Sequence, residues 1–205
     1  MLDQATATAF APLLRRAAAF LRRAGIRADH VTLAGFAAGI GALPALAYGQ
    51  FGLALALILL NRLADGIDGA LARLTAPTDR GAFLDICLDF LFYASVPLGF
   101  ALADPSRNAL PAAVLLFGFM GTASSFLAYA TIAAKHGAIN PAYASKSIYY
   151  LGGLTESTET VAVFIACCLW PAWFAPLAYI FAALCGLTTV VRLYAGWSAF
   201  KQPNK

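Results

Sequence analysis

Four aspartates, Asp65, Asp68, Asp85 and Asp89, are the residues of this chain whose type and spacing could do chemistry. They lie in Asp65-Gly66-Ile67-Asp68-Gly69-Ala70-Leu71-Ala72-Arg73, a seven-residue spacer, and Gly81-Ala82-Phe83-Leu84-Asp85-Ile86-Cys87-Leu88-Asp89. Asp85 and Asp89 are flanked by Phe, Leu, Ile and Cys, in a chain where only 12% of residues are charged. Isolated anions in such surroundings are costly. Helical spacing predicts a use for them. Asp65 and Asp68 are i,i+3 and Asp85 and Asp89 are i,i+4, so each pair shares a helix face. A turn at Ala76-Pro77-Thr78 lets the two helices run antiparallel with the pairs facing each other. Gly69 and Ala72 share the stripe of Asp65, and Gly81 lies one turn before Asp85. Small residues there leave room for a backbone or a ligand. Converging carboxylates repel unless cations sit between them, and all-oxygen ligation suits Mg2+ or Mn2+. The competing reading is a buried ion-pair network using Arg62, Arg73 and Arg80. The spacing, the glycines and the excess of carboxylate favour metal.

The same residues resemble the signature of the CDP-alcohol phosphotransferase family, Asp-x-x-Asp-Gly-x-x-Ala-Arg, a spacer, then Gly-x-x-x-Asp-x-x-x-Asp. Asp65, Asp68, Gly69, Ala72, Arg73, Gly81, Asp85 and Asp89 match every fixed position over 25 residues. The resemblance implies transfer of a phosphatidyl group from a CDP-linked lipid, such as CDP-diacylglycerol, to an alcohol, with release of CMP, in phospholipid biosynthesis. It also implies metal on Asp65, Asp68 and Asp85, and Asp89 shared between a second metal and the role of base. Two Mg2+ or Mn2+ ions, nucleotide contacts at Gly69, Arg73 and Thr78, and a homodimer are implied likewise. Ala72 and Gly81, as fixed small residues, belong with the nucleotide-lipid site. Ala28-Asp29-His30-Val31-Thr32 resembles the family's Pro-Asn-x-x-Thr at the start of the first span, with Ala for Pro and Asp for Asn. That places Asp29 and Thr32 near the nucleotide, with a plain helix N-cap the rival role for Asp29.

The residues themselves suit these roles. Arg73 is two turns beyond Asp65, where it can pair with phosphate oxygens. Asp89 is deeper in its helix and could accept the proton of an attacking hydroxyl.

The elements that must position these groups are apolar. Of 205 residues, 61% are hydrophobic, and the mean hydropathy is +0.74. A soluble domain would be nearer half apolar. The expected fold is therefore an all-α membrane protein, a single domain over 1–205. An amphipathic interfacial helix over 5–24 precedes a bundle of six transmembrane helices over 29–200. In the first helix Phe10, Leu13, Leu14, Ala17, Ala18 and Leu21 recur at helical spacing among Arg15, Arg16, Arg22 and Arg23, a pattern suited to an anionic membrane surface. Gly25 and Arg27 end it. The spans are expected near 30–48, 51–75, 80–103, 110–134, 148–169 and 174–198. Asp104 to Asn108 reads as a turn, and Trp170-Pro171-Ala172-Trp173 as an interfacial turn with an aromatic belt. Gly118 and the run from Gly121 to Ser125 permit close helix packing.

Six spans put both termini on one side. Arg15, Arg16, Arg22, Arg23, Arg27, Arg73, Arg80, Lys135, Lys146, Lys201 and Lys205 share that side, against Arg107 alone opposite. The positive-inside rule makes it cytoplasmic, in an inner membrane, with the motif opening to the nucleotide pool. No basic stripe with exposed aromatics points to nucleic acid. Cys87, Cys167, Cys168 and Cys185 lie in apolar stretches without metal-ligand spacing.

The acceptor is less legible. Glu156 and Glu159 are i,i+3 in an apolar stretch, expected about two turns into span five, and intramembrane acids are functional candidates by default. With Lys146 and Arg192 they form the candidate acceptor pocket, or else a neutralised structural cluster. Family members that use inositol phosphate place an Arg after a glycine near here. Gly153 is followed by Leu154, which argues against a phosphorylated acceptor, and the two acids with nearby Tyr149 and Tyr150 suit a neutral polyol or an amino alcohol. A divalent-cation transporter is the alternative function, but it would spread its acids across the membrane depth.

Overall fold

A computed structural model of the chain describes residues 2–135 and 155–200, with side chains from Phe10 onward. Among the described residues there are seven α-helices: α1 (Leu2–Arg23), α2 (Ala28–Ala47), α3 (Phe51–Thr75), α4 (Asp79–Ala103), α5 (Pro105–Lys135), α6 (Ser157–Leu169) and α7 (Phe174–Ala199). A 3-10 turn at Pro171–Trp173 joins the last two. The all-α class is as expected.

Local chemistry sets the helix ends. Gly25 has φ +74° and Gly49 has φ +70°. At each, the next amide reaches back to the helix it leaves, Ile26 N to the Leu21 carbonyl and Gln50 N to the Ala45 carbonyl. These are glycine C-caps with left-handed backbone. The Thr78 side chain accepts the Gly81 amide at 3.1 Å and opens α4.

One boundary departs from expectation. Asp104 to Asn108 is not a free turn, because α5 already starts at Pro105. Asp104 Oδ1 accepts from the Ser106 hydroxyl at 2.7 Å and the Arg107 amide at 3.2 Å. The hydrogen bond from Ser106 holds the Asp104 carboxyl below its ordinary pKa. Proline at the first helical position needs no amide partner, so cap and proline together start the helix early.

Helices α2, α4, α5 and α7 (the last with its preceding turn) are long and apolar enough to cross a membrane. Helix α3 matches its expected bounds but carries Arg62, Asp65, Asp68 and Arg73 in its second half. Helix α6 has 13 residues, about 20 Å at 1.5 Å per residue, against a hydrocarbon core of about 30 Å. The expected start of that span, 148–154, lies outside the described residues.

Helix α2 packs against both α3 and α4, α5 packs on α4 and α7, and α1 lies on α3. The core is built on Phe92, Phe100, Phe164 and Phe174, all buried, with Phe100 and Phe174 stacked at 4.4 Å. Large apolar side chains also face outward, among them Leu110, Phe117, Met120, Val190 and Trp197. An outward apolar surface with a packed interior is what lipid requires. Trp170 and Trp173 are exposed at the α6–α7 turn, as an aromatic belt would be.

Helix α1 divides its apolar face. Ala18 is buried with Ala70 and Leu71 of α3, and Leu14 and Leu21 pack around them. Phe10, Leu13 and Phe20 remain exposed. Gly66 makes the contact possible, since a Cβ there would meet Leu14 Cδ1 at 3.0 Å. Gly118 and Gly121 likewise serve packing inside the chain, against Ala182, Cys185 and Thr189 of α7.

Candidate active site

The carboxylate pairs do face one another. One oxygen each from Asp65, Asp68 and Asp85 lies within 4.8 Å of the others. Octahedral Mg2+ with bonds near 2.1 Å would hold such oxygens about 3 Å apart, or about 4.2 Å when opposite. Small side-chain movements would close that set. These three carboxylates, with Thr32, Asn61, Arg62 and Asp89, line a cavity of about 10 Å³, room for one water-sized species. Hard oxygen donors, converging geometry and this space fit a divalent ion of the Mg2+ or Mn2+ kind.

Helix α2 builds the floor. Thr32 Oγ1 lies 2.5 Å from Asp68 Oδ2 and 3.1 Å from the Ala28 carbonyl. Thr32 lines both the small cavity and the larger one described below, and its contact makes it an orienting partner of Asp68. Asn61 is buried and donates Nδ2–H to the Gly35 carbonyl at 2.9 Å. The close approach needs glycine. A Cβ on Gly39 would lie 2.7 Å from both Asn61 Nδ2 and Phe92 Cδ2.

Asp89 stands beside the three-carboxylate set and pairs with Arg62. Arg62 Nη2 donates to Asp89 Oδ1 at 2.6 Å, and Nη1 is 3.6 Å from Asp65 Oδ2. Nε and Nη2 of Arg62 also donate to Asn61 Oδ1, at 2.8 and 2.6 Å. Its Nη1 reaches the Tyr93 hydroxyl at 2.9 Å, which lies 2.6 Å from Ser157 Oγ. The guanidinium sits over the Phe92 ring at 4.7 Å and the Tyr93 ring at 5.1 Å.

Of the competing ion-pair network, then, Arg62 takes part, while Arg80 reaches elsewhere. Arg80 pairs with Asp29, which also meets Arg27 at 3.5 Å. Asp29 is in the first turn of α2, and Arg27 holds the N-cap position, so the plain N-cap role for Asp29 is not what the fold uses. Gly81 lies against Thr78 and Asp29: a Cβ there would be 3.1 Å from Thr78 Oγ1 and 3.4 Å from Asp29 Oδ1. Gly69 lies under the Arg73 guanidinium, with Nη1 3.4 Å from where its Cβ would be.

A second, larger cavity of about 1670 Å³ joins these parts. Asp29, Gly69, Ala72, Arg73, Thr78 and Gly81 line it together with all four motif aspartates. So do Arg15 and Arg22 of α1, Glu156 before α6, and Arg192 of α7. Glu156 and Glu159 are not two turns into a helix as expected. Glu156 is the N-cap of α6 and forms a capping box with Glu159, whose Oε2 accepts the Glu156 amide at 3.1 Å. Buried Arg192 donates Nη1–H to the Thr122 carbonyl at 3.1 Å. Lys146, Tyr149, Tyr150, Gly153 and Leu154 lie outside the described residues.

The sequence offered Arg62 only within the competing ion-pair reading, and its surroundings, Asn61, Tyr93 and Ser157, were missed because motif reasoning followed the fixed positions. The signal was present: Arg62 is three residues before Asp65 and Tyr93 four after Asp89, each on its aspartate's helix face.

Residues 26–194 match the family model described as CDP-alcohol phosphatidyltransferase. The chain is an enzyme of the CDP-alcohol phosphatidyltransferase family, a family of membrane proteins. It is 57% identical over 201 residues to inner membrane protein YnjF of Escherichia coli K12, covering 98% of each chain. It is 39% identical over 121 residues to phosphatidylinositol phosphate synthase of Streptomyces avermitilis, a match to 57% of this chain and 50% of that one. The crystal structure of Mycobacterium tuberculosis phosphatidylinositol phosphate synthase with CDP-DAG bound has the same fold, with a TM-score of 0.70 at 22% identity. It covers 95% of this chain and 100% of that one. The same enzyme in complex with manganese and citrate gives a TM-score of 0.69 at 23% identity, covering 93% of each. Family membership sets aside the transporter alternative.

Proposed function

We propose that the chain transfers a phosphatidyl group from CDP-diacylglycerol, or a lipid of that kind, to an alcohol acceptor and releases CMP. The observation that carries this is one cavity wall. Three converging carboxylates, Arg73 and the Thr78–Gly81 helix start line the same space as Glu156 and Arg192. The cavity exceeds the few hundred Å³ of ordinary small-molecule sites, as a nucleotide with two acyl chains requires. That one structure of an enzyme with this fold holds CDP-DAG and another holds manganese and citrate supports the same reading.

The residues divide the work. Asp65, Asp68 and Asp85 would hold Mg2+ or Mn2+, which when bound neutralises the diphosphate and the departing phosphate. Arg73 pairs with phosphate oxygens above Gly69, where no side chain obstructs the approach. Thr78, Gly81 and Asp29 form the facing wall for the nucleotide. Asp89 accepts the acceptor's hydroxyl proton as the oxygen bonds to the lipid-bearing phosphorus. The bond from that phosphorus to the bridging oxygen breaks, and CMP leaves with the electron pair. Arg62 grips Asp89 through Oδ1, and a carboxylate has a second oxygen for the proton.

The acceptor pocket of this reading is the Glu156 and Arg192 side of the cavity, with Glu159 joined to Glu156 through the capping box; Lys146, the other residue of that reading, lies outside the described residues. Its occupant is a neutral polyol or an amino alcohol. Helices α3 and α6 complete six passages, with both termini and the cavity mouth on the cytoplasmic side, α1 along that surface, and the protein assembled as a homodimer. Monomers alone in nanodiscs would count against the dimer.

The deciding experiment follows radiolabelled CDP-diacylglycerol in nanodiscs, with candidate alcohols. Acceptor-dependent release of CMP that EDTA abolishes and Mg2+ or Mn2+ restores is expected. Full turnover in metal-free buffer would refute the metal's part.

A further inference from the structure

We propose that the Tyr93 and Ser157 hydroxyls are a second contact for the acceptor, and that this pair selects a neutral polyol over an amino alcohol. The inference rests on the transferase reading above and names the class of alcohol.

Three observations carry it. First, the two hydroxyls are one unit. Tyr93 Oη and Ser157 Oγ lie 2.6 Å apart and join α4 to the first turn of α6. Ser157 and Phe164 are two helical turns apart on one face of α6. Phe164 meets the Tyr93 ring at 6.2 Å, so Tyr93 holds that face at two levels. Second, the pair stands where an acceptor must lie. Both residues line the large cavity with Asp89, Glu156 and Arg192. Tyr93 is one turn beyond Asp89 on α4, about 6 Å along the axis, and Ser157 directly follows Glu156. Third, the pair keeps unused hydrogen-bonding capacity. Two hydroxyls carry two protons, and the bond between them uses one. Arg62 Nη1 donates to Tyr93 Oη at 2.9 Å and occupies one lone pair. Among the described residues neither hydroxyl has a further partner. Whichever of the two donates to the other, one O–H and at least one oxygen lone pair remain for a ligand.

That remainder fits an alcohol. A hydroxyl accepts as well as donates, so it can take the leftover proton and return its own. An ammonium has three protons and no lone pair. It would leave the O–H of the pair unmatched in a partly buried site, which costs affinity. The neighbouring acid does not reverse the preference, because the Glu156 carboxylate accepts an amide of its own helix in the capping box. One hydroxyl of the polyol then gives its proton to Asp89 while another lies on Tyr93 and Ser157.

The test follows CMP release by full-length protein in nanodiscs with Mg2+ and saturating CDP-diacylglycerol. Glycerol and inositol are the polyol probes, ethanolamine and serine the amino-alcohol probes, and glycerol phosphate the charged control. A polyol is expected to support release, and the amino alcohols are not. Tyr93→Phe and Ser157→Ala should each raise the KM of that polyol ~10-fold or more, with the KM for CDP-diacylglycerol unchanged. The double variant should be no worse than the worse single one, since the two hydroxyls act together. Ser157→Thr keeps the hydroxyl and should keep the KM. Release with amino alcohols, or with glycerol phosphate alone, overturns the inference and leaves the transferase standing. An unchanged polyol KM in either folded variant overturns it too, as do two effects that multiply in the double variant. No release with any probe removes the transferase reading and the inference with it. If Tyr93→Phe does not fold, Ser157→Ala decides.

Discussion

Thr32 on α2 and Asp68 on α3 meet at 2.5 Å between Oγ1 and Oδ2, so a helix that supplies no carboxylate to the cluster holds one of its members in place. Outer partners of this kind orient a ligand and tune its affinity. Thr32→Val keeps the shape and removes the hydroxyl. It should weaken Mn2+ binding by ~10-fold or more, read by titration, with little change in thermal stability. Unchanged affinity would make the contact incidental.

Arg73 and Asp89 should separate binding from chemistry. Arg73→Ala removes charge-assisted contacts worth ~1.5–3 kcal/mol and should raise the KM for the CDP-lipid ~10- to 100-fold. Asp89→Asn should leave CDP-lipid binding nearly intact and lower kcat by ~10²-fold or more. Near-normal turnover in Asp89→Asn would place the base elsewhere.

Gly39→Ala tests the packing under the cluster. The new Cβ would lie 2.7 Å from Asn61 Nδ2 and from Phe92 Cδ2. Asn61 is tied at both ends and Phe92 is fully buried, so neither can yield at little cost. Overpacking of this sort costs ~1–3 kcal/mol. A lowered melting temperature in detergent is expected, with reduced Mn2+ affinity if Asn61 shifts.

Glu156 and Glu159 carry two roles that kinetics can part. As members of a capping box they stabilise α6 by ~0.5–2 kcal/mol, which Gln at either position largely preserves. As acceptor contacts they would be sensitive to the lost charge. Glu156→Gln is expected to raise the KM for the acceptor while CDP-lipid binding stays constant. Poor expression with normal kinetics in the remainder would leave only the capping role.

The motif half of the site was legible in the sequence because its information is local. Period-3.6 spacing gives the face, and the fixed glycines give the clearances at Gly69 and Gly81. Helix bounds for α3 and α7 were legible for the same reason. The start of α5 was not, since Asp104 and Pro105 resemble a turn until the cap bonds are seen. The Arg62 contacts were hidden differently. They join residues far apart in the chain, Arg62 with Asp89 and Tyr93, and Tyr93 with Ser157. Periodicity says which face each occupies and nothing about which faces meet. Glu156 misled because an acid in apolar sequence reads alike within a helix and at its first turn.

Helices α3 and α4 carry the aspartates, yet both lie along α2, whose Gly35 and Gly39 set how near they come. Helix α2 is therefore the caliper of the cluster. Mg2+ asks for oxygens at 2.0–2.1 Å and Ca2+ for 2.3–2.6 Å, a difference of a few tenths of an ångström that a methyl group on α2 would exceed. In a metal centre built on these aspartates, ionic-radius preference would be set partly by residues that never touch an ion. Exchanging a small residue on that one helix would then shift the favoured cation while leaving every aspartate in place.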